Sequence, residues 1–193
     1  MKEIPDTLLV KKASKIVKAA LSENIWNHSM RSYFLADSYA VKKQINYSQE
    51  ELILASLFHD IGFYKPYRIK GKSFQIAISL ALKEYLIKEK NIAKSRINAM
   101  MEAIDFHCQF EPRWSIGEIS GLLQIGTHMD VMGKSKDEVD KESRKLIFKE
   151  YPKKDFLLEF NQCLFKSITG IKSIIGILKL NICQDKNHYC SES

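Results

Sequence analysis

Helical periodicity of the apolar residues is the feature that most limits the fold of this chain. Segment 24–42 places Ile25, His28, Ser32 and Leu35 at the spacing that shares one helix face. Comparable patterns recur in segments 6–21, 74–88, 92–108 and 155–180. No stretch shows convincing strand alternation, and no internal repeat is present. The sequence therefore predicts an all-α fold.

Length and composition indicate one folded domain. The chain has 193 residues, of which 45% are hydrophobic, which suffices for a well-packed core. We expect a single helical domain over residues 1–180, followed by a flexible polar tail at 181–193. Because no stretch contains eighteen uninterrupted apolar residues and residues 1–6 do not resemble a secretory signal, a cytoplasmic protein without membrane contact is predicted.

The net charge is +7, and the distribution of the basic residues favours a solvated basic surface over a nucleic-acid interface. Lysine residues are spread along nearly every helix face and do not form one stripe, and no known nucleic-acid-binding module is visible. A nucleic-acid polymer is therefore not an expected partner. The charge is compatible with a small anionic substrate, so small molecules are the expected ligands.

An adjacent His59-Asp60 pair ends the third predicted helix. A capping box at Ser48 marks the start of that helix, and His59 shares a face with Leu52. His59 therefore faces inward. We expect Gly62 to end the helix in a left-handed turn.

Further candidate ligands lie on other helices. His28 lies within the apolar stripe of segment 24–42, and Asp130 lies on a mostly apolar helix, where a carboxylate is costly to bury unless it is paired or bound to a cation. A single histidine on an apolar face is more often a hydrogen-bonded core residue. Together with His59 and Asp60, however, these residues form a set that suits an iron, manganese or zinc ion and leaves positions open for water.

The loop at 63–73 interleaves aromatic and cationic residues directly after the His-Asp pair. Two interpretations are open. The loop is either a solvated connection or a substrate-facing segment in which Lys65 or Arg68 contacts an anion.

Three short motifs together resemble the HD superfamily of metal-dependent hydrolases, and most closely its cyanamide-hydratase-like branch. They are Asn-His-Ser-Met-Arg at 27–31, Leu-Phe-His-Asp-Ile-Gly at 57–62 and Asp-Val-Met-Gly at 130–133. The resemblance covers residues 22–133 and implies an HD-domain helical bundle, here with additional C-terminal helices at 135–180. It also implies that His28, His59, Asp60 and Asp130 are the ligands of a divalent ion, with Fe, Mn, Zn, Co and Ni all compatible.

The resemblance favours a hydrolase or hydratase that acts on a small polar molecule through a metal-activated water. In this hypothesis His107 transfers the proton, and Arg31, Lys65 and Arg68 contact the substrate. For His107 the alternative is a core histidine bonded to a backbone carbonyl.

Two other functions are open at this point. The first is a phosphohydrolase acting on nucleotides or other phosphate esters; the many lysines favour it, whereas Phe63 stands near where some nucleotide-cleaving members place an acidic residue. The second is a binding module in which the ion only staples helices. For the apolar segment 155–180, packing helices are expected, and a homodimer interface is the alternative.

Overall fold

The computed structural model describes residues 3–69, 74–89 and 92–167, and this part of the chain is helical without any strand. The prediction of an all-α fold is confirmed. The helices are α1 (Leu8–Ala20), α2 (Glu23–Lys43), α3 (Gln49–Phe58), α4 (Phe74–Lys88), α5 (Lys94–Phe106), α6 (Glu118–Met132), α7 (Lys141–Glu150) and α8 (Phe156–Ser167).

Helices α2 and α6 form the centre of the molecule and pack against each other more extensively than any other described pair. All of α6 after its first residue is buried, as is most of α2. Their backbones approach closely at Gly126, where an added Cβ would lie 2.1 Å from the carbonyl oxygen of Ser32. Only glycine fits at this crossing, which brings the His28 end of α2 next to the C-terminal part of α6.

The predicted helix starts are partly confirmed. Ser48 caps α3 as expected, because its hydroxyl accepts from the backbone N–H of Glu51. The Ser-x-x-Glu patterns at 115–118 and 135–138 also predict capping boxes, but neither serine side chain caps a helix, so these two predictions are wrong. Helix α6 begins after Gly117, whose φ of 146° is accessible to glycine, and α7 begins after Asp140, which caps it.

The expected left-handed turn at Gly62 is also wrong. Helix α3 ends at Phe58, and Asp60 adopts φ −118° and ψ 2°, between the helical and extended regions. The chain then continues into a short 3₁₀ turn, Ile61–Phe63, in which the N–H of Phe63 donates to the carbonyl of Asp60. Because the chain continues from α3 into the tighter 3₁₀ turn and does not end in a left-handed turn, no residue with positive φ is needed.

Helices α7 and α8 lie within the predicted C-terminal extension at 135–180, and α8 packs against α2 and the 3₁₀ turn. The rest of the predicted extension, 168–180, and the predicted tail, 181–193, lie outside the described residues. Among the helices that the structure describes, none combines the length and the apolar character required to cross a bilayer.

Candidate metal centre

Three side chains converge at the end of α3. The Nε2 atoms of His28 and His59 lie 3.1 Å apart, and Oδ2 of Asp60 lies 3.6 Å and 3.4 Å from them. The point equidistant from three atoms at these separations is about 2.0 Å from each, which matches the bond lengths of zinc to imidazole nitrogen and carboxylate oxygen. The group could therefore hold a metal ion.

Hydrogen bonds on the far side of each ring fix the tautomers of both histidines. Nδ1 of His59 lies 2.7 Å from the carbonyl oxygen of Ser56, and Nδ1 of His28 lies 2.6 Å from a carboxylate oxygen of Asp130. Both partners are acceptors, so both Nδ1 atoms carry the proton. In the neutral rings each Nε2 then presents a lone pair, and the contact between the two Nε2 atoms is not a hydrogen bond.

Burial keeps both imidazoles of this group in their neutral form, with one proton each on Nδ1. It lowers the pKa of His28 despite the hydrogen bond to Asp130, and it lowers the pKa of His59 to about 4. Burial also raises the pKa of Asp60, whose Oδ2 has no hydrogen-bond partner among the described residues. Three electron-rich atoms thus face one another in an apolar surrounding, an arrangement that a cation stabilises.

Asp130 lies behind His28 and not beside the other three ligand atoms. Its Oδ2 accepts from His28 Nδ1, and its two oxygens accept from Nε and Nη2 of Arg31 at 2.6 Å and 2.9 Å. Burial alone would raise the pKa of Asp130, but the charge of Arg31 and the bond to His28 hold it well below its ordinary value. In this arrangement Asp130 orients the imidazole of His28, whereas the sequence predicted it as a fourth candidate ligand.

The contacts of Arg31 also differ from its predicted role in substrate binding. Its side chain is fully buried, and Nη1 donates to the carbonyl oxygens of Tyr151 and Pro152 at 3.1 Å and 3.0 Å. Asn27 donates to the same carbonyl of Pro152. The Asn and Arg of the 27–31 motif therefore hold the connection between α7 and α8, and Arg31 turns its donors toward protein acceptors.

His107 lies next to the group, as the sequence analysis expected. Its ring centroid is 5.2 Å from that of His59, in an edge-to-face arrangement. Nδ1 is bonded to the carbonyl of Ile104, and Nε2 is 3.0 Å from Sγ of Cys108. Burial and the neighbouring His59 lower the pKa of His107 to about 4. The backbone contact matches the core-histidine interpretation, while the contact with His59 is compatible with proton transfer.

Lys65 and Arg68 are exposed, whereas the group is enclosed. The guanidinium of Arg68 donates to the backbone carbonyl of Lys166 near the end of α8. The structure therefore does not bring these two cations to the group, and Arg68 connects the loop after the 3₁₀ turn to α8.

Aromatic residues of α8 that the sequence analysis treated only as a packing stripe cover the group. The ring of Phe156 stacks on His28, with centroids 4.5 Å apart, and Phe160 lies 5.9 Å from the same ring. Glu159, between them in sequence, accepts from Tyr64 at 2.5 Å and from Asn24 at 3.1 Å. The only sequence signal for this role was the i, i+4 spacing of the two phenylalanines, which an ordinary core helix shares.

No protein-family model matches the chain, and no curated protein matches it in sequence. The interpretation of function therefore depends on the positions and contacts of the side chains described above, together with the resemblance of the three short motifs.

Proposed function

We propose that the protein is a metal-dependent hydrolase or hydratase of the HD type that acts on a small polar molecule. The observation that carries this proposal is the convergence of His28 Nε2, His59 Nε2 and Asp60 Oδ2 around a point about 2.0 Å from each. A divalent ion held there would lower the pKa of a water molecule and so supply hydroxide near neutral pH.

The composition of the group supports a catalytic metal site over a structural metal site that only holds helices together. Structural zinc sites usually have four closed ligands, with thiolates among them, whereas two imidazoles and one carboxylate leave coordination positions for water and substrate. The hydrogen bonds from Nδ1 of His28 and His59 fix both ligating nitrogens in advance. These features make a hydrolytic or hydrating enzyme our first choice.

The cations near the group favour a substrate without a phosphate. Arg31 donates to Asp130 and to two backbone carbonyls, and Lys153 donates to the backbone carbonyl of Asp130 at 2.6 Å. Both cations are thus engaged with protein acceptors and do not form a phosphate clamp. The phosphohydrolase remains our second proposal, and the net charge of +7 with its many lysines supports it.

His107 is the proposed proton-transfer residue. Because its Nδ1 donates to a carbonyl, the neutral ring has its lone pair on Nε2, which can accept a proton. A His107→Asn variant is expected to keep the metal and to lose most of the activity. Loss of the metal instead would assign His107 to the structure of the group.

Metal analysis of protein purified without added metal or a chelating tag tests the proposal first. We expect about one equivalent of a transition metal in the parent and almost none in His59→Ala. His128→Ala is the matched control, because His128 is also a buried histidine but is not one of the three converging residues. Absence of metal from the parent, even after reconstitution, would contradict the proposal.

Substrate screening with the bound metal then separates the functions. Release of phosphate from nucleotides or generic phosphate esters would favour the phosphohydrolase, and turnover of amides or nitriles would favour the first proposal. Metal binding that raises the melting temperature strongly, without activity on either panel, would favour the third interpretation, a binding module stapled by the ion.

A further inference from the structure

The metal-binding group is enclosed by protein. His28, His59 and Asp60 are each only 1% exposed, so a ligand from solvent has to pass between the side chains that cover them. The nature of those side chains then determines which ligands can reach the group.

Helix α8 provides the cover on the side of His28. Phe156 is fully buried and lies flat on the imidazole, so its ring is part of the core. Phe160 lies one helical turn further along and contacts both His28 and Phe156, with centroid distances of 5.9 Å and 5.3 Å. Phe160 is 8% exposed, so its ring reaches from the imidazole to the solvent.

The 3₁₀ turn after Asp60 provides the facing side. Phe63 meets Phe160 edge to face, with centroids 6.0 Å apart, and it is also 8% exposed. Phe160, which contacts His28, and Phe63 thus come from separate elements and meet where each ring keeps a small exposed fraction. Rotation of these two side chains would open a passage here without unfolding either element.

We propose that Phe160 and Phe63 form an aromatic gate that determines the size of the molecules that reach the metal. The proposal depends on the metal site of the proposed function and extends it by naming the residues that select the substrate. Both side chains are uncharged and apolar, so the gate discriminates chiefly by shape and volume. Small molecules pass between the rings, and larger ones are excluded.

Neutral nitrogen ligands of increasing size test this gate without knowledge of the substrate. The protein is loaded with Co²⁺, and imidazole or benzimidazole is titrated while the visible absorption bands of Co²⁺ report binding to the metal. We expect the parent to bind imidazole and to exclude benzimidazole. Phe160→Ala should increase the affinity for benzimidazole about tenfold or more and change the affinity for imidazole much less.

Two variants serve as controls. Phe165→Ala removes a phenylalanine of the same helix that is 59% exposed, and it should leave both affinities unchanged. Phe160→Leu retains most of the apolar volume and should give an intermediate affinity for benzimidazole, so the comparison stands even if the alanine variant folds poorly.

The outcomes separate this inference from the proposed function. If the parent does not bind Co²⁺, both proposals are overturned. If Co²⁺ binds and benzimidazole has the same affinity for the parent and the Phe160 variants, the gate is overturned while the metal site stands. A rise confined to benzimidazole in the Phe160 variants supports the gate.

Discussion

The guanidinium of Arg31 donates to both carboxylate oxygens of Asp130. The two side chains are fully buried and come from positions 99 residues apart in the sequence. The same carboxylate also holds His28 Nδ1 at 2.6 Å. One buried ion pair thus joins α2 to α6 and orients an imidazole of the candidate metal centre.

Breaking this ion pair is expected to destabilise the protein strongly. Asp130→Asn leaves the charge of Arg31 buried without its counter-charge, for which we expect a loss of about 3–5 kcal/mol in the free energy of unfolding, measured by urea denaturation. Glu84→Gln is the control, because Glu84 pairs with Lys88 on the exposed surface and should leave stability unchanged. Equal stability of the parent and Asp130→Asn would contradict the role assigned to the pair.

Gly126→Ala should be more destabilising than Gly121→Ala. At Gly126 the new Cβ would lie 2.1 Å from the carbonyl oxygen of Ser32, a backbone atom that cannot move without separating the helices. At Gly121 the obstacle, 2.2 Å away, is the indole of Trp114, which is 41% exposed and can swing outward. We expect a loss of about 1–3 kcal/mol or more for Gly126→Ala, measured by urea denaturation.

Fluorescence supplies a second measurement for the Gly121 variant. Displacement of Trp114 would separate it from Tyr39, on which it stacks, and should shift the tryptophan emission. If Gly121→Ala is the more destabilising variant, the contact of Gly126 with the backbone of Ser32 tolerates a Cβ better than the contact of Gly121 with Trp114, and the prediction is wrong.

Stability is expected to fall as the pH decreases from about 6.5 to about 4, in part because of His128. Burial, together with the charge of the nearby Lys134, lowers the pKa of His128 to about 4. The unfolded chain therefore binds a proton in this range while the folded chain does not, so the free energy of unfolding decreases with falling pH. His59 and His107, whose pKa values burial also lowers to about 4, add to the loss.

Replacing His128 with leucine removes one contribution to this slope. Urea denaturation at pH 7 and pH 5, in the presence of a chelator, should show a smaller difference for His128→Leu than for the parent. The same difference in both proteins would show that His128 is not kept neutral by the fold.

Tyr64→Phe is expected to expose the metal to chelators. The hydroxyl of Tyr64 donates to Glu159 at 2.5 Å and so holds α8 over the group. Because the acceptor is a carboxylate, its loss should cost about 1.5–3 kcal/mol of stability and increase the rate at which a chelator removes the proposed metal. The matched control is Tyr85→Phe, which deletes a 2.6 Å bond to the carbonyl of Leu9 away from the group.

The two tyrosine variants distinguish an effect on access to the metal from an effect on the free energy of unfolding. Both should lose stability, measured by urea denaturation, but only Tyr64→Phe should release the metal faster. If the two variants release the metal at equal rates, α8 does not control access.

Local periodicity predicted the inward direction of His28 and His59 correctly, because residues one turn apart necessarily share a helix face. Local periodicity could not predict contacts between distant segments. The sequence identified Arg31 as part of a motif, but nothing in its local pattern indicated a bidentate bond to a residue 99 positions away. Without that bond, an arginine beside a metal ligand is reasonably interpreted as a substrate contact.

Short capping patterns predicted only some of the helix starts correctly, because contacts between distant segments also determine where a helix begins. The pattern at Ser48 precedes a segment with no competing start, and its hydroxyl caps α3. Near Ser115 and Ser135, residues slightly further along, Gly117 and Asp140, begin the helices instead. A serine followed by a glutamate permits a helix to start, whereas the packing of the helix determines which nearby residue begins it.

The close backbone contact at Gly126 also sets the rotational phase of α6. Gly126 fixes the rotation of α6 against α2. Asp130 follows about one turn later, so this rotation determines the direction in which its carboxylate points. A single residue inserted between the two would rotate Asp130 by about 100° away from His28 and Arg31. We therefore expect proteins that share this site to vary in loop length but to keep the interval between the glycine and the aspartate constant.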